Sequence, residues 1–155
     1  MRIGIGYDVH KLSANYQLWI GGISVPFEKG SEGHSDGDVL IHAICDALLG
    51  AANLRDIGYH FPDNDPALKG IDSKILLKKV MEMIRSKGYE IGNIDSIVCL
   101  QLPKINQFIP EMQKRLASVM EVDEDLISIK ATTTEKMGFI GSGEGISAYA
   151  TVLLI

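Results

Sequence analysis

The sequence predicts an α/β (α+β) fold, with a mixed β-sheet and helices packed on one face. Three observations predict it. Residues 2–10 alternate between apolar and small or polar side chains, with the period of a strand. Apolar residues recur at helical spacing over 38–52, 73–87 and 107–120. The order β, ββ, α, α, β, α, β, β interleaves the two kinds of element in one layered architecture.

Taken in order, Ile3, Ile5, Tyr7 and Val9 form one side of the first strand and are expected to face the core. Arg2, Gly4, Gly6, Asp8 and His10 form the other, chemical side. Trp19–Val25 reads as a hairpin, whose Gly21-Gly22 pair can take the positive φ of a tight turn. The helix over 38–52 can be capped by Ser35 or Asp36 and carries Asp38, His42 and Asp46 on one stripe. Residues 55–71 read as a loop. Over 73–87, Leu76, Leu77, Val80, Met81 and Ile84 point inward, and Gly88 is a C-terminal stop. Residues 94–101 are a strand, and Pro110 sits in the first turn of the helix over 107–120. Ile127 and Ile129 mark another strand. Residues 145–155 are apolar on both faces, as in a strand buried on both sides.

The chain has 155 residues, which suits one domain over 1–155, and 46% are apolar, enough for a sizeable core. Its net charge of −5, without basic runs, disfavours nucleic acid and membrane surfaces as partners. No apolar run reaches the ~18–20 residues of a membrane span. The opening residues form a strand rather than a signal peptide, and Cys45 and Cys99 read as buried thiols of a reducing compartment. A cytoplasmic protein is expected.

Four groups carry chemistry. Asp8 and His10 leave the same face of a strand, and His42 starts a helix. If strand and helix meet, one carboxylate and two imidazoles give the three-ligand set of a catalytic Zn²⁺ or another divalent transition metal. Asp46 is then a fourth contact or a partner behind the ligands. His34 and Ser35 precede a helix N-terminus, where anions are favoured. Asp56-Ile57-Gly58 and Phe61-Pro62-Asp63-Asn64-Asp65 form an acidic loop suited to hydroxyl groups. Thr132, Thr133, Thr134, Glu135 and Lys136 put hydroxyls, a carboxylate and a cation at a strand end, with Lys104 adding another cation. That set suits phosphates bridged by a hard divalent ion.

These motifs occur together as Tyr7-Asp-Val-His10, His34-Ser-Asp-Gly-Asp38, His42, Asp56-Ile-Gly58, Phe61-Pro-Asp63, Pro103-Lys104 and Ala131-Thr-Thr-Thr-Glu-Lys136. In that order the chain resembles, over its whole length, the 2-C-methyl-D-erythritol 2,4-cyclodiphosphate synthase family. The resemblance implies attack of a 2-phosphate on the β-phosphorus of a cytidine diphosphate derivative, with loss of CMP. It implies a metal at Asp8, His10 and His42, and Mg²⁺ or Mn²⁺ near Glu135. His34 and Thr133 would stabilise the transferring phosphoryl group. Ser35, Asp56, Ile57, Gly58, Phe61, Asp63, Asp65 and Phe139 would bind substrate. Leu100, Pro103, Lys104, Ile105, Asn106, Ala131, Thr132 and Thr133 would bind the nucleotide. It further implies a homotrimer built around a central sheet-lined axis, with sites between subunits. One departure is Ser142 in Gly141-Ser-Gly-Glu-Gly145, where many relatives carry an arginine that can bind an isoprenoid diphosphate. Weak or absent binding of that ligand is expected here.

Two other readings stay open. One is a metal-dependent phosphate-ester hydrolase using metal-bound hydroxide. The other is a nucleotide-binding domain with structural zinc, disfavoured because structural zinc sites are usually four-coordinate and cysteine-rich.

Overall fold

The computed structural model describes residues 1–155. Its strands are β1 (Arg2–Ala14), β2 (Leu18–Ile20), β3 (Ile23–Val25), β4 (Lys29–Ser31), β5 (Ile91–Cys99), β6 (Ile127–Thr132) and β7 (Gly145–Leu154). Its helices are α1 (Val39–Ala51), α2 (Ile57–His60), α3 (Ser73–Ser86), α4 (Ile109–Met120) and α5 (Gly138–Gly141). The main sheet has the order β4-β1-β7-β5-β6, and β2-β3 is a separate hairpin turning at Gly21 and Gly22, both at positive φ. Only β5 and β6 pair in parallel, with α4 as the connection between them, and this makes the sheet mixed. No helix is long and apolar enough to cross a membrane.

Helix α1 is the centre of the core. Ten of its thirteen residues are buried, and His42 and Asp46 are the polar exceptions. A helix this apolar on nearly all sides must be enclosed. It is capped by Asp38 rather than by Ser35 or Asp36. The Asp38 carboxylate accepts from Ile41 N–H at 3.0 Å and also from Gly21 N–H at 2.9 Å and Gly22 N–H at 2.6 Å. It therefore ties the hairpin turn to the start of α1, a role closed to Ser35 and Asp36 one turn earlier. The segment 55–71, expected as a loop, contains α2 and a 3-10 turn at Pro66–Leu68. Each is opened by a local Asp cap, from Asp56 and Asp65, that periodicity does not detect.

The orientation of β1 is opposite to the expected one. Gly4 and Gly6 are buried, whereas Ile3 and Ile5 are 74% and 73% exposed and Tyr7 and Val9 are also exposed. The reason is a close approach. A Cβ on Gly4 would lie 2.0 Å from the Ala47 carbonyl oxygen, and one on Gly6 1.9 Å from that of Ala43. Glycines opposite a row of alanines let α1 settle directly on β1, so the glycine side is the inner side. Strand β7 is central, but only one of its faces is closed. Ile146, Ala148, Ala150, Val152 and Leu154 are buried, while Tyr149 and Thr151 are exposed. The apolar side of β1 and the Tyr149 side of β7 thus form one uncovered sheet face, with Tyr7 paired to Tyr149 at 4.6 Å between ring centroids.

Candidate metal centre and adjoining cavities

The contact of α1 with β1 brings His42 to Asp8 and His10. His42 Nδ1 lies 3.0 Å from Asp8 Oδ2, and His10 Nε2 lies 2.9 Å from the same oxygen. The two ring nitrogens are 3.2 Å apart. Burial pushes the Asp8 carboxyl up, but its hydrogen bonds to His10 and His42 outweigh that and hold it well below the usual carboxylate range. Burial pulls His10 down, and the Asp8 carboxylate more than compensates, leaving His10 raised.

The three atoms fit a divalent ion. A tetrahedron with bonds of about 2.0–2.1 Å has edges of roughly 3.3 Å, close to the spacing of this trio. Each ring also has an acceptor on its far nitrogen. His10 Nδ1 meets the Glu32 carbonyl at 3.0 Å, and His42 Nε2 meets Ser35 Oγ at 3.1 Å and Ser73 Oγ at 3.0 Å. No cysteine joins the set, since Cys45 is buried within α1 and Cys99 lies on β5. A mixed nitrogen and oxygen triad beside open space is the catalytic kind of site rather than the structural kind. Asp46 does not join it. Its carboxylate accepts from Ile57 N–H at 2.7 Å and anchors the start of α2.

The trio forms part of the wall of a cavity of about 490 Å³, shared with His34, Ser35, Ile57, Gly58, Phe61 and Asp63. Leu68, Ile71 and Leu76 complete its apolar side. Three residues named for substrate, Asp56, Asp65 and Phe139, stand outside this wall. Asp56 accepts from Tyr59 N–H at 2.8 Å as the cap of α2, and Asp65 accepts from Ala67 N–H at 2.9 Å. The Asp65 carbonyl instead accepts from His34 Nε2 at 3.1 Å, fixing that ring. Phe139 lines a different cavity, with His10, Lys29 and Glu144.

A second cavity, of about 290 Å³, is lined by Leu100, Pro103, Lys104, Ile105, Asn106, Ala131, Thr132 and Thr133. It shares no residue with the first. Register explains why. His10 pairs with Ile146, next to Ser147, which pairs with Cys99, which pairs with Thr132. The two cavities therefore lie at the same end of the sheet but three strand spacings apart, about 14 Å. Glu135 is exposed and accepts from Thr133 Oγ1 at 3.1 Å, away from the metal trio. A lone carboxylate with a hydroxyl beside it suits a hard cation that keeps most of its oxygens from water and phosphate. Ser142 Oγ donates to Glu144 Oε1 at 2.8 Å.

Glu32, Ser73 and Asp38 went unrecognised as supports of the site. Glu32 acts through its backbone carbonyl, which no side-chain pattern reveals. Ser73 reads as an ordinary first residue of α3. The spacing of Asp38 from His42 is visible in the sequence, but its hold on the distant hairpin is not.

Residues 1–155 match the YgbB family throughout. The 2-C-methyl-D-erythritol 2,4-cyclodiphosphate synthase of Porphyromonas gingivalis is 66% identical over 154 residues, covering 99% of this chain and 95% of that protein. The bifunctional IspDF from Campylobacter jejuni superposes with a TM-score of 0.95 at 44% identity, over 99% of this chain and 42% of that longer one. The IspF–CDP complex of Plasmodium falciparum superposes with a TM-score of 0.87 at 39% identity, over 99% of this chain and 95% of that one. With a full-length match and a relative at two-thirds identity, the chain belongs to the YgbB family.

Proposed function

We propose that this chain, as one catalytic domain, converts 4-diphosphocytidyl-2-C-methyl-D-erythritol 2-phosphate into 2-C-methyl-D-erythritol 2,4-cyclodiphosphate and CMP. An oxygen of the 2-phosphate forms a bond to the β-phosphorus, and the bond from that phosphorus to the oxygen bridging to CMP breaks. The observation that carries the reading is the Asp8–His10–His42 cluster in the wall of a cavity large enough for a phosphorylated polyol.

A divalent metal bound there, with Mg²⁺ or Mn²⁺ near Glu135, supplies neutralisation of the diphosphate oxygens when phosphate approaches phosphate. The protein's own part is positioning. Ser35, Gly58 and Asp63 face the methylerythritol side of the substrate. Lys104 and the Thr132–Thr133 backbone receive the CMP end. His34 and Thr133 stabilise the charge of the phosphoryl group in transfer. No protein nucleophile is needed, and burial leaves the Cys45 thiol pushed well up and inert.

The assembly we propose is a homotrimer with each site between neighbouring subunits. Two features support it. The metal and nucleotide cavities of one chain are separate, and the apolar β1–β7 face is left uncovered.

The test is CMP release from the cytidine diphosphate substrate, before and after chelation, with metal content measured alongside. Cyclic diphosphate with stoichiometric CMP, lost on chelation and restored by divalent metal, is expected. An opened, hydrolysed product would replace this reading with the phosphate-ester hydrolase.

A further inference from the structure

The far side of His42 is built as carefully as its metal side. Ser73 Oγ is fully buried at the first residue of α3 and lies 3.0 Å from His42 Nε2. It also donates to Asp36 Oδ1, while Asp36 Oδ2 accepts from Ser73 N–H at 3.0 Å. An ionised carboxylate is an acceptor only. The single Ser73 hydroxyl hydrogen is therefore committed to Asp36, and only lone pairs remain to face the imidazole. His42 must donate from Nε2, so Nδ1, the atom beside Asp8 and His10, is the nitrogen left for a metal to take. Ser35 Oγ does not fix this direction. It accepts from Gly37 N–H at 3.2 Å, and its own hydrogen has no acceptor that excludes His42.

We infer that Ser73, oriented by Asp36, is a positioning residue that sets the tautomer and ring angle of His42 for metal binding. The relay is a carboxylate–hydroxyl–histidine chain behind the metal, a lengthened form of the carboxylate–histidine–metal arrangement. It rests on the metal reading of the Asp8–His10–His42 site. It also explains why α3, which contributes no ligand, begins with a buried polar residue directly after its Asp72 cap.

The experiment measures Zn²⁺ affinity by chelator competition at fixed pH, on wild-type protein and on the Ser73→Ala, Ser73→Thr and Asp36→Asn variants. Thermal unfolding of the metal-free proteins and long-range ¹H–¹⁵N spectra of the His42 ring run alongside. Ser73→Ala is expected to weaken Zn²⁺ binding about 10–100-fold. Ser73→Thr keeps the hydroxyl and should recover most of it. Asp36→Asn can donate to Ser73 Oγ and turn its hydrogen toward His42, so it should weaken binding without removing volume. In the metal-free wild type, the ring should carry a proton on Nε2, and less uniformly so in Ser73→Ala. Should Ser73→Ala fail to fold, Asp36→Asn and the wild-type tautomer decide alone. Unchanged Zn²⁺ affinity in the folded variants, or a wild-type ring with no proton on Nε2, overturns the positioning role and leaves the metal site standing. Failure of the wild type to bind Zn²⁺ overturns both.

Discussion

Gly6 and the Ala43 carbonyl are in backbone contact, closer than any side chain on residue 6 would permit. The metal site depends on that contact. Asp8 and His10 follow on the same face of β1, and His42 precedes Ala43 on α1, so the spacing of strand and helix at Gly6 sets the span the three ligands must bridge. Gly6→Ala is expected to force the two elements apart, costing about 1–3 kcal/mol or more from overpacking against rigid backbone. Zn²⁺ affinity should fall together with stability. A variant that keeps wild-type affinity and Tm would show that α1 can retreat without moving His42.

Asp38 holds a different joint. Its replacement by Ala leaves three buried N–H groups, from Gly21, Gly22 and Ile41, without their acceptor. Loss of the cap costs about 0.5–2 kcal/mol, and each stranded donor roughly 1–3 kcal/mol. Asp38→Ala should therefore be among the most destabilising single changes, seen in chemical denaturation as a loss of 3 kcal/mol or more. Asp38→Asn retains one carbonyl oxygen and should lose less.

These two joints mark what the sequence could and could not convey. Period-2 alternation correctly made residues 2–10 a strand, and apolar spacing found α1, α3 and α4. The side of β1 that faces inward was misread, because an apolar row is expected inside. What decided it was steric: only glycine fits beneath Ala43 and Ala47. The carboxylate and two imidazoles were legible as a spacing, yet the distance between them is a tertiary fact. The supports from Glu32 and Ser73 lay beyond reach, the first being a backbone group and the second one serine among many.

The charges of the metal-free site give a pH signature. Asp8 is lowered in the folded state, so its contribution is present above its unfolded pKa of about 3.9 and lost as pH falls through the lower folded value. His10 is raised, so its contribution is present below about 6.5 and lost as pH rises through the higher folded value. The stripped protein should gain most from this pair between about pH 4 and 6.5. Metal-loaded protein should behave oppositely, because protons compete for the ligands and binding strengthens with pH. Thermal unfolding at pH 5.5 and 8.5, with and without Zn²⁺, reads both slopes. In metal-free Asp8→Asn the advantage at pH 5.5 should shrink. Parallel slopes with and without metal would contradict the pairing.

The uncovered face of β1 and β7 and the separation of the two cavities make a joint prediction about assembly. If a working site takes its metal half from one subunit and its nucleotide half from a neighbour, defects in different halves can complement. Asp8→Asn removes a metal ligand, and Lys104→Ala removes a cation from the nucleotide cavity. Homo-oligomers of either variant should have little activity. Co-expressed at equal levels, the two chains mix at random around a head-to-tail ring, and about a quarter of the interfaces join two intact halves. CMP release by the mixture should thus recover to about a quarter of the wild-type rate per site. Ile5→Asp, which puts a charge on the 73% exposed apolar row without touching either cavity, should instead yield smaller species in sedimentation and abolish the recovery. No recovery in mixed wild-type-sized oligomers would mean that each chain completes its own site across the 14 Å between its cavities, by a movement of the 131–136 segment.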